Sequence, residues 1–114
     1  MPSITHHLMV NGMVVVCAPP EIDVTTAEQL RTALIEAAGN GGATVVLDMT
    51  GTRFCDCSGL HVLISVHRQA RAEGGGLRLV IPADGAVYRV VNLASLDRLI
   101  PSFSGLEQAL ATSG

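Results

Sequence analysis

The chain has 114 residues, 48% of them hydrophobic, and a formal net charge of −3 from seven arginines, no lysine and ten carboxylates. That length suits one domain over residues 1–114, with a core that needs neither disulfide nor metal. No apolar run approaches the ~18 residues of a membrane span, and the arginines are scattered from Arg31 to Arg98, which argues against membrane insertion and direct nucleic-acid binding.

The first residues, Met1 to His7, lack the basic segment and apolar core of a signal peptide, so the cytoplasm is the expected compartment. Three cysteines agree with it, because the count is odd and Cys55 and Cys57 are too close for a disulfide framework. Leu8 to Val10 and Met13 to Ala18 read as strands joined by a tight Asn11-Gly12 turn, whose residues must tolerate positive φ. Pro19-Pro20 closes the second strand, and Glu21-Ile22-Asp23 reads as a short acidic turn. A first helix is expected from about Thr25, with Thr25 and Glu28 as a capping box and Thr26 as an alternative cap. Leu30, Ala33, Leu34 and Ala37 form its apolar face, and Gly39 to Gly42 stops it. Thr44 to Met49 is a β-branched run without clean alternation, as in a strand covered on both faces.

Arg53 to Leu60 comes next and connects that strand to a second helix. Leu60, Leu63, Ile64, His67 and Ala70 give the helix its apolar side, and Gly74-Gly75-Gly76 ends it. Leu77 to Ile81 is a strand, Asp84 to Leu93 a short helix, Leu96 to Ile100 a last short strand, and Ser104 onward a terminal helix packed by Leu106, Ala109 and Leu110. Alternating strands and helices predict an α/β fold: a mixed, mostly parallel central sheet with an N-terminal β-hairpin and about four helices. A weak homodimer through exposed Met9, Met13 or Val15 stays open.

Catalytic signatures are missing. Both glycine clusters follow helices instead of opening them, so neither is a phosphate loop or dinucleotide turn, and no cofactor is expected. Cys55, Cys57, His61 and His67 crowd one region, but Cys-Asp-Cys leaves one residue between thiols where zinc pairs usually leave two to four. His61 and His67 also fall on different helix faces. A nucleophilic Cys57 would gain from the helix start and lose from the adjacent Asp56. Neither a metal nor a catalytic residue is therefore expected.

Ser58 has two readings. It fits a helix N-cap worth about 1 kcal/mol, with Asp56 forming an Asx turn and Gly59 permitting a close approach. It also fits a phosphate acceptor, because unpaired N–H groups and the dipole at a helix start suit an anion, and a phosphate would add about −1.5 to −2 units of charge.

Glu21-Ile22-Asp23, Val45 to Met49, Phe54 to Leu60 and Asn92 to Leu99 together resemble, in order and over roughly the whole chain, the STAS family (sulphate transporter and anti-sigma factor antagonist domain). The resemblance is to its single-domain anti-sigma factor antagonists. In that family the turn typically reads Asp-Ser-Ser-Gly, and a partner anti-sigma factor that is also a kinase phosphorylates the second serine. That serine falls on Ser58, the turn aspartate on Asp56 and the first-loop acid on Asp23. Cys57 replaces the family's first serine, and Pro20 stands where a glycine often precedes the first loop.

The resemblance implies partner switching. The unphosphorylated protein binds an anti-sigma factor with serine kinase activity through Asp23, Asp56, Cys57, Ser58 and Gly59, which frees a sigma factor. Phosphorylation of Ser58 ends the contact, and a serine phosphatase restores it. The alternatives are a STAS-type interaction module or a small-ligand-binding module outside sigma factor control.

Overall fold

The structure, a computed structural model, describes residues 8–10, 12–39, 43–83 and 85–111. Its main sheet has the order β1-β2-β4-β6-β7. These strands are β1 (Leu8–Val10), β2 (Met13–Cys17), β4 (Thr44–Asp48), β6 (Gly76–Val80) and β7 (Ser102–Phe103). β1 runs antiparallel to β2, with Leu8 opposite Val15, and the remaining neighbours are parallel. Gly12 has φ 79°, as the predicted turn requires, while its partner Asn11 lies outside the described residues.

The three central strands bury both faces. Val14, Val16, Val45, Leu47, Leu77 and Leu79 belong to the large core, and Val15, Val46 and Val80 belong to a second cluster on the opposite face. Period-two alternation between two covered faces is why these strands read as continuous apolar runs. The large core is roofed by α1 (Ala27–Ala38) and α2 (Cys57–Ala72), and α3 (Ala86–Leu93) contributes Val87 and Val91. The second cluster is closed by α5 (Leu106–Ala111), whose Ala109 is fully buried. Val15 is therefore covered and Met13 half-buried against α5, which removes Val15 from the expected dimer face; the side chain of Met9 lies outside the described residues.

Arg78 is the one charged side chain buried among the described residues. It points toward α5, where Nη1 donates to the Ala109 carbonyl at 2.6 Å and the guanidinium lies 5.9 Å from the Phe103 ring centroid. Gly75 seats the turn before β6: a Cβ there would fall 2.1 Å from the Ala43 carbonyl oxygen, a clash with backbone that no rotamer relieves.

Several sequence expectations are corrected. Glu21-Ile22 is a strand, β3, paired in parallel with β5 (Phe54–Cys55) as a separate two-stranded sheet. Leu96–Leu99 is a helical turn, α4, entered through Ser95 at φ 57° and closed by the Ile100 N–H to the Leu96 carbonyl. Leu96 and Ile100 are four apart and share a face in helix and strand alike, so burial of both did not discriminate between them. The last strand is instead β7. The buried stripe of α2 includes Val62 and Val66, with Ile64 and His67 only half-buried, because the helix packs on both α1 and the sheet. Asp84, expected to open α3, lies outside the described residues.

Candidate functional site

The loops after β3 and β5 leave the small sheet side by side, because Ile22 is in register with Cys55. Three further bonds lock them together. Thr52 Oγ1 donates to the Pro19 carbonyl at 2.8 Å, Arg53 N–H to the Pro20 carbonyl at 2.7 Å, and Asp56 N–H to the Ile22 carbonyl at 3.0 Å. The prolines lack N–H groups, but this junction uses only their carbonyls. Asp23 and Asp56 thus stand at the same end of the molecule, each beginning a helical segment.

Asp23 does what the expected Thr25–Glu28 box was to do. Its Oδ1 accepts from Thr25 N–H at 2.9 Å, Thr25 Oγ1 at 2.6 Å and Thr26 N–H at 3.2 Å, and Thr26 Oγ1 accepts from Asp23 N–H at 3.0 Å. The reciprocal pair is therefore Asp23 with Thr26, and regular helix begins at Ala27, not Thr25. The Thr25 hydroxyl first, then the Thr25 amide, hold the Asp23 carboxyl below its ordinary pKa. Glu28 turns outward and lies 3.5 Å from Arg31 Nε.

Asp56, two residues earlier than expected, is the N-cap of α2. Its Oδ1 accepts from Ser58 N–H at 2.9 Å and Gly59 N–H at 3.3 Å, and its carbonyl accepts from Leu60 N–H at 3.1 Å. Ser58 is thus not the cap but the second residue inside the helix, half-buried, and its hydroxyl has no hydrogen-bond partner among the described residues. The N–H groups of Ser58 and Gly59, two of the donors a helix start otherwise leaves unpaired, are taken by the Asp56 carboxylate, while that of Leu60 makes the first regular helix bond to the Asp56 carbonyl.

Gly59 makes the close approach. A Cβ there would lie 2.6 Å from Ile22 Cγ2 and 2.7 Å from Cys55 Sγ, so the missing side chain lets α2 settle onto the small sheet. Cys55 is buried beneath this contact. Loss of hydration, and then the Asp56 charge and Cys57, push its thiol up to about 11, which keeps it protonated. Cys17 is likewise raised, first by burial and then by Asp48.

Between the starts of α1 and α2 lies an open groove of about 410 Å³. Ser58, Cys57, His61 and Val62 line one wall, and Val24, Ala27, Glu28 and Arg31 the other. Val24 is 73% exposed, an apolar side chain projecting from an otherwise polar turn. Arg31 bridges the walls, with Nη1 donating to Ser65 Oγ at 3.0 Å. Of the five residues singled out in the sequence, Cys57 and Ser58 face the groove, while Gly59 lies beneath α2 against the small sheet, Asp56 caps the start of α2 and Asp23 organises the turn before α1. Sequence reasoning missed Val24, Glu28 and Arg31 as groove residues. Val24 between Asp23 and Thr25 was the one available signal.

His67 is used elsewhere. Its Nδ1 accepts from Leu77 N–H at 3.1 Å, and a further hydrogen bond reaches the Leu99 backbone, so the ring ties α2 to β6 and α4. Burial first and Arg71 second lower its pKa. Cys55, Cys57, His61 and His67 do not converge, and among the described residues no group of three such side chains is placed to hold a metal ion. No helix among them is long and apolar enough to cross a membrane.

The sequence model of the STAS domain matches residues 7–109. The chain belongs to the STAS family. Within it, the resemblance is to anti-sigma factor antagonists, a non-enzymatic group. The chain is 30% identical over 101 residues to the anti-sigma-F factor antagonist RsfB of Mycobacterium tuberculosis, covering 88% of this chain and 80% of RsfB. A crystal structure of an anti-sigma factor antagonist from Mycobacterium paratuberculosis superposes with a TM-score of 0.76 at 26% identity, covering 92% of this chain and 88% of that one. The Bacillus cell fate determinant SpoIIAA in its phosphorylated form shares the fold, with a TM-score of 0.63 at 21% identity over 90% of this chain and 92% of that one. In this STAS domain the loop carrying Asp23 and the turn carrying Asp56 and Ser58 leave the small sheet side by side, next to one groove.

Proposed function

We propose that this STAS protein is an anti-sigma factor antagonist that works in the cytoplasm by partner switching at the groove between α1 and α2. The unphosphorylated form binds an anti-sigma factor with serine kinase activity and so releases a sigma factor. The kinase transfers the γ-phosphate of its own ATP to Ser58 Oγ, the Ser58 proton being taken up on the kinase side, and the contact is lost. A serine phosphatase returns the protein to its binding form.

One observation carries this reading. The Ser58 hydroxyl lines an open groove and bonds to nothing among the described residues, because Asp56 has taken over the capping of α2. Modifying it therefore removes no hydrogen bond from the fold, while a charge of about −1.5 to −2 appears on a contact surface that must be desolvated for binding. The phosphorylated form of SpoIIAA is a precedent on the same backbone. Asp23, Asp56, Cys57 and Gly59 serve by shaping and bordering that surface.

Incubation with a candidate kinase and ATP, followed by mass spectrometry, should map one phosphate to Ser58. Ser58→Ala should stay folded and keep binding the partner, and Ser58→Asp should weaken binding about tenfold or more, a loss of ~1.4 kcal/mol. Equal binding by Ser58→Asp and the parent protein would sink the switch.

A further inference from the structure

A phosphate on Ser58 has to find its counter-charge, and the two helix-start donors that would turn toward an anion there, those of Ser58 and Gly59, are already taken. The N–H groups of Ser58 and Gly59 point at Asp56 Oδ1, and that of Leu60 at the Asp56 carbonyl. The Asp56 carboxylate is itself an anion within one turn of the acceptor, so it repels a phosphate. Elsewhere around the groove the situation is reversed. His61 is three residues after Ser58 on the same helix, which places the two side chains next to each other, about 5–6 Å apart at Cβ. Arg31 reaches over from α1 into the same groove, where it already bonds Ser65 on α2 and lies near Glu28.

We propose that Arg31 and His61 form an intramolecular phosphate-holding pair, which takes up the phosphoryl group of phosphorylated Ser58 and closes the groove against the partner. This rests on the partner-switch reading of Ser58 and gives its regulation a structural form. The guanidinium presents a planar fork of donors to two phosphate oxygens, and the imidazole N–H supplies a third contact from the helix side. Arg31 would have to turn from Glu28 toward the phosphate. That exchange is favourable, because a partly exposed single ion pair is weak and a near-dianion offers more charge and more acceptors. Phosphorylation would then act in two ways. It adds negative charge, and it fills the groove with the chain's own side chains, so that Val24 and Val62 lose the cavity between them.

The test installs phosphoserine at position 58 of the full chain during translation, independently of any kinase, and follows the phosphate by 31P NMR as a function of pH. The charged or titratable groups lining the groove are Glu28 and Arg31 on α1 and Cys57 and His61 on α2; Asp56 caps α2 beside Ser58, and Arg68 shares an adjoining cavity with His61 and Ser65. With Asp56 and Glu28 dominant, the second phosphate pKa would stand at or above its ordinary value of about 6. With the pair engaged, it should fall about 0.5 to 1 unit below that value. Arg31→Gln and His61→Gln should each move it back up, and Glu28→Gln should lower it further. Circular dichroism of the unphosphorylated variants checks their folding, and the exposed His61 keeps the test alive if Arg31→Gln does not fold. A value at or above about 6 that neither Arg31→Gln nor His61→Gln shifts would overturn the proposal. Because the phosphate is installed directly, a kinase that never labels Ser58 would refute the partner switch without affecting this measurement.

Discussion

Gly59→Ala probes the contact on which the whole site is seated. The added methyl carbon would start 2.6 Å from Ile22 Cγ2 and 2.7 Å from Cys55 Sγ. Both neighbours are fixed, since Ile22 is 0% and Cys55 4% exposed and the two are paired in register across the small sheet. Restoring an ordinary separation of roughly 3.5–4.0 Å means moving the start of α2 outward by about 1 Å. Overpacking of this kind costs about 1–3 kcal/mol. Alanine returns at most about 1 kcal/mol through helix propensity. With the overpacking cost near the middle of that range, about 2 kcal/mol, a net loss of about 1–2 kcal/mol follows, or a Tm lower by roughly 4–8 °C for a chain of this size. With no tryptophan and one tyrosine in the chain, urea unfolding is best followed by far-UV circular dichroism. The same change in a Cys55→Ala background removes one of the two obstructing atoms. It should therefore cost less there, with a coupling on the order of 0.5–1 kcal/mol. A Gly59→Ala protein as stable as its parent, or one whose loss is unaltered by Cys55→Ala, would show that the helix is not seated by this contact.

Asp56→Ala should cost about 1 kcal/mol through loss of the α2 cap, and Asp56→Asn much less, because its amide oxygen can still accept from Ser58 and Gly59; denaturant midpoints check both. Burial first and Arg71 second lower the His67 pKa in the folded chain, so below the unfolded value the unfolded chain binds more protons: stability should be level above the unfolded pKa of 6.5 and fall as pH drops below it toward the lowered folded value. That slope, measured by unfolding between about pH 7 and 5, should be shallower in His67→Gln. Asp23→Ala should weaken partner affinity with a small fall in Tm, while Asp23→Asn should keep the Tm and still lose affinity. Equal affinity in both variants would restrict Asp23 to organising the Thr25–Thr26 turn.

The parts of the fold that were legible in the sequence are those with a period. Val45, Val46 and Leu47 announced a strand covered on both sides, and Leu30, Ala33 and Leu34 announced a helix face. The small sheet was not legible, because two-residue strands such as Glu21–Ile22 carry no alternation and exist only through tertiary pairing. The cap of α2 was misplaced from Asp56 to Ser58 for a local reason: serine and aspartate cap equally well, and two residues separate them. Gly59 was read correctly as a point of close approach, although the atoms it approaches, on Ile22 and Cys55, come from a pairing the sequence hides. Arg31 and Val24 reach the site only because α1 and α2 start side by side, an arrangement set by that hidden sheet.

The displaced cap changes the logic of the turn. A serine that caps a helix is committed to the fold, since its side-chain oxygen holds the first N–H groups. Here Asp56 does the capping, so Ser58 is relieved of any duty to the fold and its hydroxyl is left facing the groove. The same carboxylate also denies a phosphate the helix N-terminus, which is where an anion would otherwise settle with little effect on the surface beyond. One side chain thus leaves the Ser58 hydroxyl free and, under the proposed switch, would direct a phosphate on it outward. Outward from Ser58 lies the groove, with Arg31 and His61 on its walls and Val24 at its lip. A charge placed there meets whatever occupies the groove, which is the condition for a modification that leaves the structure intact and changes what it binds.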